Sequence, residues 1–523
     1  MRSLFIAALS FVAAGCVGGG GLLVEPELGP EVPPWSVPVE WEACTLFTGG
    51  GGGPAECANV RMPLDWAEPT EAQISVFVKR VTGSGVDPDD AEFAVWPLSG
   101  GPGGAGNMQE SLAELFLSND DSLVFYLLDH RGTGRSMRLG CAAEGSDTPG
   151  GRTITVDELA QCGEEVRERW DDDLSGFTTT QAAIDLAWLI DTTRPEGQSV
   201  HIHGGSYGTR WMQRTLQVAP NIADGASGLG VVPPGFSFAD YDASYEAVGA
   251  AYMDLCIDDI DCVARLGGDP LATMREALGN LQTGACPVGD DSLTRERLRS
   301  FFGALLLAGG DARVAIPAVA HRLDRCNGDD REALRWFAEN VADPLEGLRN
   351  DPMYSQVLGN LVILSELWDD GPSVDDALDL HRQGLFSLGS TLRVAQLEEA
   401  DWPRAARDPR ADEALVETTP LLWINGSLDP ATPLEPVIDM LDDMPDRAEE
   451  HLLVIPGGGH GWDSPTIEGY DCARTAWWNF VREPGSTLFA CDAQILPPDL
   501  SGDTTTAQWL FGRDDLWGSY QGD

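Results

Sequence analysis

The chain has 523 residues, 43% hydrophobic and 22% charged, the composition of a globular protein with a large core rather than of a disordered chain. Its 84 acidic residues against 33 basic ones give a formal net charge of −51. Such a surface repels phosphates and excludes nucleic acid as a partner. The charge serves solubility first, and attraction of cationic groups such as free amino termini only second.

The first residues have the form of an export signal. Arg2 precedes an apolar run from Leu4 to Ala14, and Ala13-Ala14-Gly15 places small residues before Cys16. This resembles a bacterial lipoprotein signal, which implies removal of residues 1–15 and a lipid on Cys16. The apolar run is too short for a membrane span, so attachment is expected through that lipid alone. The mature protein is expected in the cell envelope, periplasmic or at the cell surface, or secreted. Residues 16–40 are rich in Gly, Pro and Glu and read as a tether.

Setting Cys16 apart, ten of the 11 cysteines fall as neighbours: Cys44 with Cys57, Cys141 with Cys162, Cys256 with Cys262, Cys286 with Cys326, and Cys472 with Cys491. In an exported chain this pattern allows up to five local disulfides. No C-x-x-C pair is present, so a zinc ribbon is not expected. The Gly-rich loop Gly49 to Pro54 lacks the Lys-Ser/Thr ending of a phosphate loop and is given no nucleotide role.

Strand patterns follow at Ile74 to Val81, Phe93 to Leu98, Leu123 to Leu128, Val200 to His203, Gly225 to Val232, Pro420 to Ile424 and His451 to Ile455. Helical patterns lie between several of them, including Thr180 to Asp191 and Tyr207 to Val218. Strands alternating with helices predict an α/β fold with a mostly parallel sheet covered on both faces. From 236 to 404 helical periodicities dominate, as in Met274 to Leu281, Leu298 to Leu307 and Ala333 to Val341. This stretch reads as a helical insertion splitting the sheet domain into 41–235 and 405–495. Residues 496–523 read as an acidic tail.

Ser199 to Thr209 is a strand running into Gly204-Gly-Ser-Tyr-Gly208 and then a helix. A serine on so tight a strand-to-helix turn needs glycines two positions either side, where side chains would clash. Ser206 is therefore the candidate nucleophile. Of seven histidines, His460 stands in a Gly-rich loop after the strand ending at Ile455, late in the chain, and is the candidate base. Asp429 follows the strand Leu421 to Ile424 and falls between the two in chain order, as the acid that orients the base should. After the strand Phe93 to Leu98 comes Ser99-Gly-Gly-Pro-Gly-Gly104. Its free backbone amides suit an oxyanion hole, with donors assigned to Gly101 (Gly100 as alternative) and to Tyr207.

Together, Gly100-Gly-Pro-Gly103, the block Asp129-x-Arg-Gly-x-Gly-x-Ser136, Gly204 to Gly208, Asp429-Pro-x-Thr-Pro433 and Gly459-His-Gly461 resemble the α/β-hydrolase exopeptidases. These are the proline iminopeptidases and, closer, the secreted tripeptidyl aminopeptidase-like group. The resemblance runs from about Trp41 to Cys491 and includes Arg61-Met-Pro-Leu-Asp65. It implies an α/β-hydrolase fold with a helical cap, a triad of Ser206, Asp429 and His460, no metal or organic cofactor, and cleavage of short peptides from free amino termini. The chain departs from the family pattern in Leu361-Val-Ile-Leu-Ser-Glu366, where Ser365 stands in place of a cysteine whose partner is also missing near Trp402. Glu366 is the candidate for binding a substrate ammonium group. An esterase or amidase acting on small non-peptide compounds is the alternative, and a non-catalytic binding protein on this fold a further one. His201-x-His203 lies on a central strand and is expected to be packed. The glycosylation pattern Asn425-Gly-Ser427 sits beside the candidate acid and is discounted.

Overall fold

The computed structural model describes residues 35–83, 85–171, 173–288, 293–341, 351–415, 419–444, 450–466, 468–486 and 494–518. The export signal, Cys16, the tether up to residue 34 and Cys491 lie outside them.

Among the described residues, nine strands form one sheet. They are β1 (Glu42–Thr45), β2 (Pro54–Pro63), β3 (Gln73–Thr82), β4 (Phe93–Leu98), β5 (Leu123–Leu128), β6 (Ser199–Gly205), β7 (Gly225–Leu229), β8 (Leu421–Gly426) and β9 (Glu450–Ile455). Their order is β1-β2-β3-β5-β4-β6-β7-β8-β9. The first three pair antiparallel, β3 joins β5 antiparallel, and from β5 to β9 every pairing is parallel. Strands β4, β5 and β8 are buried along their whole length and mostly apolar, because helices cover both faces. Helices Thr179–Thr193, Tyr207–Val218 and Leu434–Asp443 pack on one face. Helices Glu110–Leu117 and Cys472–Arg482 pack on the other.

The winding reverses at β4, which lies between β5 and β6. In open α/β sheets, ligands bind beyond the carboxyl ends of strands at such a switch point. Leu98 at the end of β4 pairs with Gly204 of β6, so the Gly-rich loop and Ser206 leave the sheet side by side. Gly426 of β8 pairs with Ile455 of β9, which brings out the loops bearing Asp429 and His460 together.

Between β7 and β8 the described residues are largely helical. Helices Tyr241–Asp258, Pro270–Gln282, Arg295–Ala308, Ala315–Arg325 and Gly328–Asn340 enclose a core of their own. Helices Gln356–Glu366 and Ser390–Glu399 pack with Tyr207 in a second cluster, which ties this cap to the sheet domain. Of the C-terminal stretch read as a tail, residues 496–518 fold onto the cap. Helix Thr504–Phe511 contributes Leu510 and Phe511 to the cap core, joined by Leu516 and Trp517. The fully buried Arg322 donates to the carbonyls of Leu516 and Asp515. Sparse aromatics in an acidic stretch carry no periodicity, so their burial could not be read from the sequence.

Two strands, β1 and β2, were not expected. They form a hairpin around the loop of Gly49 to Pro54, and β2 mixes polar with apolar residues too evenly to stand out. Disulfides join Cys44 to Cys57, Cys141 to Cys162, Cys256 to Cys262 and Cys286 to Cys326. Cys472 is also disulfide-bonded. No described helix is long and apolar enough to cross a membrane.

Candidate active site

Ser206 sits at the corner between β6 and the helix Tyr207–Val218, with φ 55° and ψ −127°. A non-glycine residue held there stores on the order of 1–3 kcal/mol of strain. Its N–H is fixed by the carbonyl of Leu229 (2.8 Å), and its carbonyl accepts from the amide and hydroxyl of Thr209 (2.8 and 2.7 Å). The flanking glycines allow the corner. A Cβ at Gly204 would overlap the Gly208 carbonyl, and one at Gly208 would overlap the Leu98 carbonyl.

The Gly-rich loop after β4 lies against the serine. A Cβ at Gly100 would stand 2.7 Å from Ser206 Cβ and 3.4 Å from its hydroxyl oxygen. Gly101 has φ +123°, open to glycine and closed to most residues. Tyr207 is the first residue of its helix, where backbone N–H groups have no intrahelical partner. Two elements hold the loop. Asp129 Oδ1 accepts from Gly106 N (2.9 Å), while its Oδ2 accepts from Arg135 N (2.8 Å). From the cap, Tyr354 donates its hydroxyl to the Pro102 carbonyl (2.7 Å) and Ser355 its N–H to the Gly103 carbonyl (2.9 Å). The Asp129 to Ser136 block is thus a scaffold for the loop. Within it Arg131 is buried against Asp185, and Ser136 bridges Asp129 O and Phe77 N.

The structure brings His460 and Asp429 together. His460 Nδ1 donates to Asp429 Oδ2 at 2.7 Å. Asp429 is 1% exposed and also accepts from Ala431 N, Thr432 N and the Thr432 hydroxyl, so the carboxylate has one fixed orientation. Burial disfavours protonation of His460, but the charge of Asp429 and its hydrogen bond outweigh burial and raise the pKa above the ordinary 6.5. Asn425 fixes the turn below. Its Oδ1 accepts from Val231 N (2.8 Å) and its Nδ2 donates to the Thr432 carbonyl (2.9 Å). A fully buried Asn425 so engaged offers no place for a glycan. Gly230, just after β7, lies beneath the His460 ring: a Cβ there would stand 2.7 Å from Cε1 and 2.8 Å from Nδ1. Thr432 stands in the Asp429-Pro-x-Thr-Pro433 block, Asn425 in the discounted glycosylation pattern and Gly230 in no motif, and the sequence does not show which groups they engage, because that depends on how β7, β8 and the histidine loop pack.

Glu366 is enclosed rather than open to solvent. It is 2% exposed, at the end of helix Gln356–Glu366, and its Oε1 accepts from Thr179 N (3.1 Å). Its charge acts on the buried Arg210, whose pKa burial pushes down to about 10 against the pull of Glu366. The carboxylate is enclosed between the cap and the helix Tyr207–Val218 as a counter-charge to Arg210, and its Oε2 is buried with no hydrogen-bond partner among the described residues. Ser365 accepts from Ala405 N (3.0 Å), so a hydrogen bond stands in the region where the resemblance implies a disulfide. His201 Nε2, His203 Nδ1 and Trp477 Nε1 converge on the Ser227 hydroxyl at 2.8 to 2.9 Å, a packed core cluster.

The switched parallel sheet, the strained serine corner and the late loops carrying Asp429 and His460 define an α/β-hydrolase by fold. Residues 388–486, which include Asp429 and His460, match the family described as TAP-like protein. Comparison with curated proteins finds no match. Similar solved structures include an esterase from Exiguobacterium antarcticum, 15% identical over 78% of this chain and 96% of that one, with a TM-score of 0.34. A proline iminopeptidase from Mycobacterium smegmatis is 16% identical over 82% and 99%, TM-score 0.35. A bromoperoxidase from Bacillus anthracis is 15% identical over 81% and 97%, TM-score 0.33.

Proposed function

We propose that the chain is an exported serine hydrolase in which Ser206 is the nucleophile, His460 the general base and Asp429 the group that orients it. The observation that carries this reading is the 2.7 Å bond between His460 and a fully engaged, buried Asp429, together with a serine in a strained corner whose N–H donates to the carbonyl of Leu229, the residue before the Gly230 that lies beneath the His460 ring. His460 takes the Ser206 proton as the hydroxyl attacks a carbonyl carbon. The amides of Gly101 and Tyr207 receive the developing oxyanion, His460 protonates the leaving group, and water then releases the acyl group by the same route. Short peptides with free amino termini are the proposed substrates, supported by the resemblance of the motifs and by the cap over the site. The disulfides support export, because such bonds persist in oxidising compartments.

Fluorophosphonate labelling, with Ser206→Ala as control, tests the nucleophile. Chromogenic amides with free and blocked amino termini, run beside simple esters, test the substrate class. Labelling abolished in Ser206→Ala, with preference for free amino termini, is the expected result. Equal cleavage of blocked and free peptides removes the aminopeptidase reading, turnover of esters alone makes the protein an esterase, and absence of labelling overturns the hydrolase itself.

A further inference from the structure

The loop bearing His460 is held from two sides. From the sheet domain, the Ser427 hydroxyl accepts from Gly457 N (2.7 Å) and Leu428 N donates to the Gly458 carbonyl (2.9 Å). From the cap, the Leu307 carbonyl accepts the main-chain N–H of His460 itself (3.2 Å). Gly459 lies so close to the end of the cap helix Arg295–Ala308 that a Cβ there would stand 2.8 Å from Leu306 O and 2.9 Å from Gly309 Cα. Arg313 closes this contact. It is 4% exposed, and its Nη2 donates to the Gly457 carbonyl at 2.7 Å while its Nε donates to Gly310 O at 3.3 Å. One guanidinium therefore joins the turn that ends the cap helix to the turn that begins the histidine loop.

The consequence follows from where each part of His460 is anchored. Its ring is bonded to Asp429, which belongs to the sheet domain, and its backbone to Leu307, which belongs to the cap. The alignment of ring with carboxylate thus depends on where the cap sits.

We propose that Arg313 is a positioning residue for the base: by tying the cap to Gly457 it sets the alignment of His460 with Asp429, so that the cap is part of the proton-transfer apparatus and not a lid independent of it. This rests on the reading of His460 as the base. The charged and titratable groups around Arg313 are Asp311, Asp463 and Tyr252, and the group acting on His460 is Asp429. A guanidinium is suited to the task, since its planar fork can serve two carbonyls at once.

The test compares Arg313→Met, Arg313→Lys and Arg313→Ala with the cap-core variant Phe337→Leu, which lowers the stability of the cap core but leaves the Arg313 tie to Gly457 and the Leu307 bond to His460 in place. The readouts are the fluorophosphonate labelling rate, kcat and KM on the best chromogenic substrate, and their pH profiles, corrected for the folded fraction by circular dichroism. A displacement of the order of 1 Å costs about 100-fold. Arg313→Met is therefore expected to lose roughly 10- to 100-fold in kcat and labelling rate with KM little changed. Its acid-limb midpoint moves down as the ring loosens from Asp429. Arg313→Lys falls between, and methylguanidinium partly restores Arg313→Ala. Phe337→Leu keeps its rate per folded molecule and its midpoint. A wild type that labels at Ser206 beside an Arg313→Met that labels equally fast, with the same midpoint, overturns the role of Arg313 alone. A loss that merely follows the folded fraction overturns it as well. A wild type that does not label overturns the parent reading.

Discussion

Gly230→Ala isolates one contact on which the site depends. Gly230 has φ +63°, and an added Cβ would lie 2.7 Å from His460 Cε1, 2.8 Å from Nδ1 and 3.4 Å from Nε2. Ordinary contact begins near 3.4 Å, so the ring must retreat by about 0.7 Å. It cannot take Asp429 with it, because three further donors hold that carboxylate. Gly230 itself is pinned by its N–H to the Ile424 carbonyl (3.0 Å). The displacement therefore falls on the 2.7 Å bond between His460 and Asp429 or on the approach of the ring to Ser206. Misplacement on this scale is worth about 100-fold in rate. The left-handed backbone adds about 1–2 kcal/mol of destabilisation for any residue with a Cβ. Gly235→Ala separates the two effects. Gly235 has φ +76° with nothing within 4 Å of its added Cβ, so it incurs the backbone cost without the clash. Urea denaturation should show similar losses of stability in both variants, while kcat/KM falls about 100-fold only in Gly230→Ala. Equal activities in the two variants would refute the reasoning.

Three other outcomes are expected. Because Asp429 raises the His460 pKa against burial, the acid limb of kcat/KM should have its midpoint above 6.5; in Asp429→Asn burial alone remains, and the midpoint should fall below 6.5 with kcat reduced about 10⁴-fold. A midpoint unmoved by the substitution would show that Asp429 does not act on the base. Ser227→Ala leaves His201, His203 and Trp477 without their common partner and should cost about 2–4 kcal/mol in urea denaturation, with activity per folded molecule unchanged; a loss below about 1 kcal/mol would contradict the cluster. Burial pushes the pKa of His130 down to about 4 and of His203 to about 3, and lowers that of His201, so these rings stay neutral in the fold while the unfolded chain takes up protons below pH 6.5. The contribution of these rings should be full above pH 6.5 and decline as pH falls toward 4, by about 1.4 kcal/mol per ring at pH 5.5, whereas the stabilisation from His460, whose pKa is raised, is present below 6.5 and lost as pH rises above it. Urea midpoints that hold level or rise from pH 7 to pH 5.5 would argue against neutral buried imidazoles.

The sequence by itself determined the elements whose signal is local. Buried parallel strands such as Phe93–Leu98 and Leu123–Leu128 stand out as short apolar runs, because both their faces are covered. The serine corner was legible because Gly204 and Gly208 are demanded by contacts within a few residues of Ser206 or with the adjacent strand. The pairing of neighbouring cysteines was legible because loops such as those closed by Cys44–Cys57 and Cys256–Cys262 are short. Tertiary structure decided everything that depends on residues far apart meeting. Gly230 is one glycine among 60 until His460 is found above it. Glu366 ends an apolar helical run, and its neighbours cannot be read from the sequence until that helix is packed against the helix following Ser206, which buries it within reach of the charge of Arg210. Arg313 lies in no motif, and its bond to Gly457 spans 144 positions of chain. Local patterning fixes which backbone conformation each segment prefers. Which side chain then faces which is set by the packing of whole elements, and that is where the alignment of His460 is decided.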